Sequence, residues 1–276
     1  MPYKQATQAR SHQETRSIHG GSIMKINLND KLGKHLAMKK NAGLARYLPS
    51  TSLATKTNVR RMLEMYNAVY LKPNQGTGGF GIFKLSRWKK GYVLQYGTRR
   101  LFSPTYDKVF QGFLKAKRRK VYLVQKSIPL LRYQGRPFDF RIMVQLNPQR
   151  KWEATGIVGR LAQSQKIVTN FHNGGKPLPA HQLLSPYMNK RKLIPYTIKL
   201  QNLGTRIGSH MRSIFPRLRA YGIDIGIDRD LKPWLIEVNT MPDKYIFNEL
   251  ANKQMFRKIT RYERLAKRSV AGRIRK

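Results

Sequence analysis

The sequence predicts an α+β chain folded as two lobes, and three observations carry that expectation. Short β-prone runs recur in neighbouring pairs that can close as hairpins, without a regular strand–helix–strand alternation. Three longer segments keep helical apolar spacing. The 276 residues are 40% apolar, enough for a sizeable core in spite of a formal net charge of +42.

Residues 1–28 read as a basic arm, polar and without apolar period. Asn29 and Asp30 can cap a helix that carries Leu32, Leu36 and Ala37 and ends near Gly43 and Pro49. A second helix is expected over 55–67, where Val59, Met62, Leu63 and Tyr66 fall on one face. Then come a strand, 68–72, a loop with glycines at 76, 78, 79 and 81, and another strand, 82–85. Further strands are expected at 91–96, 121–125, 138–145, 152–159, 221–227 and 233–239, with a long helix over 197–220. Residues 248–276 read as a basic helical tail.

Composition excludes several classes of function. With no cysteine there is no disulfide framework, thiolate metal site or cysteine nucleophile. No apolar run reaches about 18 residues and no signal-like segment opens the chain, so a cytoplasmic protein without a membrane span is expected. The 55 Lys and Arg against 13 Asp and Glu draw the surface towards polyanions, whether nucleic acid, anionic lipid or an acidic coat. Twelve of these cations lie between Lys84 and Lys120 with Asp107 as the single acid, and ten lie between Asn248 and Lys276. Such runs read equally as solvated faces.

The chemistry concentrates in three places. Gly76, Thr77, Gly78, Gly79 and Gly81 form a flap whose backbone can approach an anion closely, with Lys72 at the end of the preceding strand. Because a strand follows rather than a helix, the flap is neither a Walker loop nor a dinucleotide fingerprint, and it suggests ATP; taken alone it also reads as a plain hairpin. Asp224, Asp228, Asp230, Glu237 and Asp243 crowd twenty residues of an acid-poor chain. A turn over 228–233 sets Asp224 opposite Glu237, with Asn239 on the same face, and three oxygen donors without His or Cys suit Mg²⁺. Asp139 and Arg141 share one strand face, where Arg141 can meet a transferring phosphate or form an ordinary ion pair. Arg160 and His172 supply further polar groups.

Taken in order, Asp30-Lys31, Val69 to Pro73, Gly76 to Gly81, Val124 to Lys126, Asp139 to Arg141, Thr169 to Gly175, Gly222 to Asp224 and Ile236 to Asn239 resemble the ATP-grasp superfamily. Within it the chain is most similar to the YheC/YheD family of endospore coat-associated proteins, and more distantly to RimK-type ligases. The likeness covers residues 29–247. It implies an ATP-grasp fold, two α+β lobes clasping a nucleotide, with Lys31 and Lys72 on the phosphates and the Gly76–Gly81 loop over them. Gln125, Lys126 and Ile128 would form the adenine-reading hinge. Asp224, Glu237 and Asn239 would hold one or two Mg²⁺, with Mn²⁺ as a substitute, while Arg141, Arg160 and Asp139 would carry catalysis.

The activity implied is a carboxylate-amine or carboxylate-thiol ligase acting through an acyl phosphate. Catalysis of that kind is positioning and charge stabilisation, so it needs no Ser/His/Asp triad. The carboxylate and nucleophile substrates stay open, because the N-terminal domain usual in the superfamily is expected to be missing or reduced to the basic arm. Gln125 stands where many relatives carry Glu, and Val168 where RimK-type ligases carry an arginine. The alternative is a non-catalytic spore-coat or polyanion-binding protein that keeps the fold and uses its basic arms. A kinase lacks support, since the His-Arg-Asp signature is absent.

Overall fold

A computed structural model describes residues 26–117 and 119–274; all but the last three residues of the expected arm lie outside the described residues. The chain enters on α1, Lys31–Lys39, and a single turn α2, Ala42–Ala45. Asp30 caps α1 by accepting from the Gly33 N–H at 2.9 Å. Next come β1, Thr51–Leu53, and α3, Lys56–Tyr66, capped by Thr55 and closed by Asn67 in the left-handed region. The strands β2, Ala68–Pro73, β3, Phe83–Trp88, β4, Gly91–Tyr96, and β5, Arg99–Ser103, lead to α4, Tyr106–Lys117, and β6, Tyr122–Lys126.

These strands make an antiparallel sheet in the order β1-β6-β2-β3-β4-β5. The helices α3 and α4 bury Val59, Met62, Leu63, Val109, Phe110 and Phe113 against one of its faces, which closes the small-lobe core. The sequence reading passed over β1, β5 and α4 and stopped β3 at Leu85, three residues early.

The second lobe contains β7, Arg132–Tyr133, the long strands β8, Arg136–Leu146, and β9, Trp152–Leu161, then β10, Lys176–Leu178, and α5, Ala180–Leu184. It continues through α6, Lys190–Ile214, β11, Ala220–Ile227, β12, Pro233–Asn239, and α7, Gln254–Ile274. The sheet order is β10-β9-β8-β11-β12, with β7 paired to the start of β8. Here α6 begins seven residues earlier than its apolar spacing suggests, because Asn189 caps the Lys192 N–H and Pro195 is accommodated inside the helix. It ends at Ile214, and residues 220 onward are strand instead of the expected helix end.

The large-lobe core joins α6 and β8–β12 to Met38 and Leu44, so α1 and α2 pack with the second lobe although they precede the first. A third cluster, Met143, Val158, Phe247 and Ile259, seats the first half of α7 on the opposite face of β8 and β9. The two sheets therefore face each other across a cleft, and the segment 127–131 that follows β6 joins the lobes, with Leu131 N donating to the Ile227 carbonyl.

Candidate active site

Strand alternation sends Thr51, Gln125, Lys72 and Tyr70 to the cleft face of the small-lobe sheet, since Thr51 pairs with Gln125 and Gln125 with Tyr70. Lys72 Nζ donates to Gln125 Oε1 at 2.6 Å, and Gln125 Nε2 donates to Thr51 Oγ1 at 3.1 Å. Burial lowers the Lys72 ammonium to about 8, with the Glu237 carboxylate opposing the shift. Lys31, the first residue of α1, reaches Glu237 Oε1 at 3.4 Å and also donates to the Gly76 carbonyl. Lys34, one turn further on, is buried and donates to the carbonyls of Leu28 and Val238 at 3.0 and 2.7 Å; desolvation brings it to about 8 as well.

The glycine flap is held at both sides. Asn74, at its stem, accepts from the Lys31 and Leu32 N–H groups at 3.1 and 2.9 Å, through its carbonyl and its side chain respectively. At the tip Asn173 Nδ2 donates to the Gly78 carbonyl at 2.5 Å. Gly78, Gly79 and Gly81 all have φ between +71° and +76°, and a Cβ on Gly79 would stand 2.4 Å from Asn170 Oδ1. Glycine here serves both the left-handed backbone and the close approach of the 170–173 segment.

The floor of the cleft is a buried ion network on three adjacent strands. The register places Asp224 beside Arg141 and Glu237, and Asp139 beside Arg160. Arg160 Nε and Nη2 meet Asp139 Oδ1 and Oδ2 at 2.8 and 2.6 Å, and its Nη2 also lies 3.0 Å from Asp224 Oδ2. Arg141 Nε donates to Asp224 Oδ1, and Arg141 Nη2 to Oδ2 at 3.1 Å. Burial alone would raise Asp224, yet the two guanidiniums hold it below the ordinary carboxylate range; Arg160 is raised against its own burial by Asp139 and Asp224. Asp139 therefore holds Arg160, not its strand-mate Arg141.

Asn239 Nδ2 donates to Asp224 Oδ2 at 3.3 Å and to the Gly222 carbonyl at 3.4 Å, which leaves its Oδ1 for a ligand. Among the described residues no three His, Asp or Glu side chains cluster as a metal site. The donors that fit a hard cation are Glu237 Oε2, since Oε1 meets Lys31, and Asn239 Oδ1, whereas both oxygens of Asp224 face guanidiniums.

The Lys72–Gln125 bond and Glu237 divide the cleft into two compartments. One is lined by Tyr70, Ile82, Ile128, Ile167 and Arg160, the other by Lys31, His35, Met38, Thr51 and Leu123. Tyr70 Oη donates to the Ile167 carbonyl and closes the first from the side. Ile128 lines that compartment, while the Lys126 ammonium sits 5.1 Å from the Tyr66 ring and 5.0 Å from that of Trp234. His172 Nε2 lies 3.3 Å from Asp243 Oδ2 at the exposed rim.

The profile of the YheC/D like ATP-grasp family matches residues 22–265. This chain belongs to that family. Two Bacillus subtilis (strain 168) proteins are similar: endospore coat-associated protein YheD, 27% identical over 227 residues, and YheC, 19% identical over 211. The matches cover 79% and 75% of this chain but only 49% and 58% of the relatives, so the chain spans about half the length of the proteins it matches. Among solved structures, D-cycloserine synthetase DcsG superposes with a TM-score of 0.53 at 7% identity, covering 86% of this chain and 71% of that one. N5-carboxyaminoimidazole synthetase from Staphylococcus aureus, complexed with ADP, gives 0.50 at 12%, covering 84% and 50%. At such identities these likenesses establish the ATP-grasp fold.

Sequence reading named Lys31, Lys72, Gln125, Arg141, Arg160, Asp224, Glu237 and Asn239, and these side chains come together in the one cleft. It missed Asn74, which ties flap to helix, the buried Lys34, and Thr51, which orients Gln125. Asn170 and Asn173 carried a signal, for they flank His172 in the segment singled out before Gly174-Gly175.

Proposed function

We infer that the chain is an ATP- and Mg²⁺-dependent ligase that activates a carboxylate as an acyl phosphate for attack by an amine or thiol. The observation that carries this reading is the convergence of Lys31, Lys72 and the glycine flap above a floor of Arg141 and Arg160. Adenine would lie beside Ile128 and the hinge backbone, and Lys72 and Lys31 would offset the phosphate charge beneath the flap.

Arg141 and Arg160 spend Nε and Nη2 on Asp224 and Asp139, which leaves the Nη1 of each for the incoming carboxylate and the γ-phosphate. The carboxylate oxygen bonds to the γ-phosphorus as its bond to the ADP oxygen breaks. The nucleophile then bonds to the acyl carbon, loses a proton and displaces phosphate. Glu237 and Asn239 would hold Mg²⁺, which supplies neutralising charge to the phosphates, while Asp224 orients the two arginines. The coat association of YheD and YheC supports the same setting for this chain. Among the described residues no helix is long and apolar enough to cross a membrane.

Hydroxylamine trapping with a panel of carboxylic acids tests the reaction class. Hydroxamate formed together with ADP and phosphate supports it; hydroxamate formed with AMP and pyrophosphate would mean adenylation and would sink it.

A further inference from the structure

The sheet face that carries Tyr70 and Lys72 into the cleft continues outward beyond it. Register extends it through Lys84, Ser86 and Trp88 of β3 to Arg100 and Phe102 of β5. Three properties of this surface point the same way. From Ile82 to Ser103 there is no acid, and of the six Lys and Arg of that stretch Lys84 and Arg100 fall on this face by register. The strand β5 ends the sheet, and among the described residues no strand pairs with its outer edge. Trp88 and Phe102 are 58% and 57% exposed, with the Phe102 ring lying over Gly91, the cross-strand partner of Trp88.

At the inner end, Lys84 stands among cations. Burial, and then the charges of Arg132 and Arg100, hold its ammonium below the ordinary lysine value. Its Nζ rests 5.9 Å from the Tyr70 ring, Arg132 donates to the Gly135 carbonyl, and no carboxylate of the described residues forms an ion pair with Lys84, Arg100 or Arg132. A half-buried ammonium with two exposed guanidiniums near it is stabilised by an anion, which no ion pair of the described residues supplies.

We propose that this surface docks an acidic, extended polypeptide segment. The segment pairs with the free edge of β5, sets a carboxylate against Arg100 and lays an apolar side chain on Phe102, and its continuation crosses the face past Trp88 to bring a carboxylate to Lys84 and Arg132. Cations alone on an edge strand serve to prevent aggregation. That role leaves Trp88 and Phe102 unexplained, and it does not reach Lys84, which is on an inner strand. A single-stranded nucleic acid would use the aromatic faces but not the backbone donors and acceptors of β5.

The test is fluorescence anisotropy with a labelled peptide alternating Glu with Phe and Val, at moderate salt and without ATP, so that it stands apart from the nucleotide reading. Saturable binding is expected, weakened about ten-fold by Arg100→Glu and several-fold by Phe102→Ala. The same peptide N-methylated at alternate residues, unable to pair with the edge, should lose binding. A distant control, Lys190→Glu with Arg191→Glu at the start of α6, should change affinity by less than about two-fold. The proposal is overturned if the control weakens binding as much as Arg100→Glu, if the N-methylated peptide binds like its parent, or if oligothymidylate of equal charge displaces the peptide more readily than the peptide displaces itself. Should Arg100→Glu not fold, Arg100→Gln carries the same comparison.

Discussion

Lys72 couples the cleft to pH. Unfolded lysine titrates near 10.5 and Lys72 in the fold near 8, so between these values the unfolded chain binds the extra proton and the nucleotide-free protein gains stability as pH rises. Phosphate beside the ammonium favours its charged form, so ATP affinity should move the opposite way and fall above about pH 8. Titration at pH 8.5 in buffers of different ionisation enthalpy should show uptake on the order of one proton per ATP, abolished in Lys72→Met. On the floor, Asp139→Ala leaves Arg160 partly unpaired in a buried site and should cost about 3–5 kcal/mol in chemical denaturation. Glu237→Ala, by contrast, removes a part-exposed carboxylate whose ion-pair partner among the described residues is Lys31, and should cost about 1 kcal/mol. Counting outward from the 228–233 turn sufficed to set Asp224 against Glu237, and the structure has that register, with the irregularity falling just after Asp224. The same counting put Asp139 and Arg141 on one face but could not choose their partners. That choice depends on which strands flank β8, a long-range pairing no local spacing encodes.

The glycine flap links the lobes through backbone contacts, so its behaviour belongs to the element. Gly79→Ala introduces a Cβ that collides with Asn170 and a side chain in the left-handed region. ATP affinity should fall about ten-fold by titration while the melting temperature moves only a few degrees, because the flap contributes little to either core. An unchanged affinity would show that the 170–173 clasp is not needed for nucleotide. Legibility differed between elements for physical reasons. The flap and the strands beside it were readable because glycine and β-branched residues act locally. The helix α4 was hidden inside a basic run, although Tyr106, Val109, Phe110 and Phe113 keep the spacing of one buried face. Three-residue β1 has no periodicity to detect and exists through its pairing with β6.

At the scale of the molecule, the small-lobe and large-lobe cores are separate buried clusters, joined through the segment 127–131 and the cleft contacts. Calorimetry of the nucleotide-free protein should therefore resolve two unfolding components, and saturating ATP with Mg²⁺ should draw them together and upward, since a ligand that bridges the lobes stabilises their docked state. A single component unaffected by nucleotide would mean that the lobes are not joined through a bound ligand. The two-lobe division was legible from hairpin runs and helical spacing, but the return of α1 and α2 to the second lobe was not, because their apolar face is completed by α6 more than 160 residues later. The most direct test of the nucleotide cleft is isothermal titration of ATP, with and without Mg²⁺, on the wild type and Glu237→Ala at moderate salt. The substitution separates a specific site from the attraction of any anion to a chain of net charge +42. Saturable binding that needs Mg²⁺ and is lost in Glu237→Ala is the expected result; equal binding in both proteins, quenched by salt and indifferent to Mg²⁺, would contradict it.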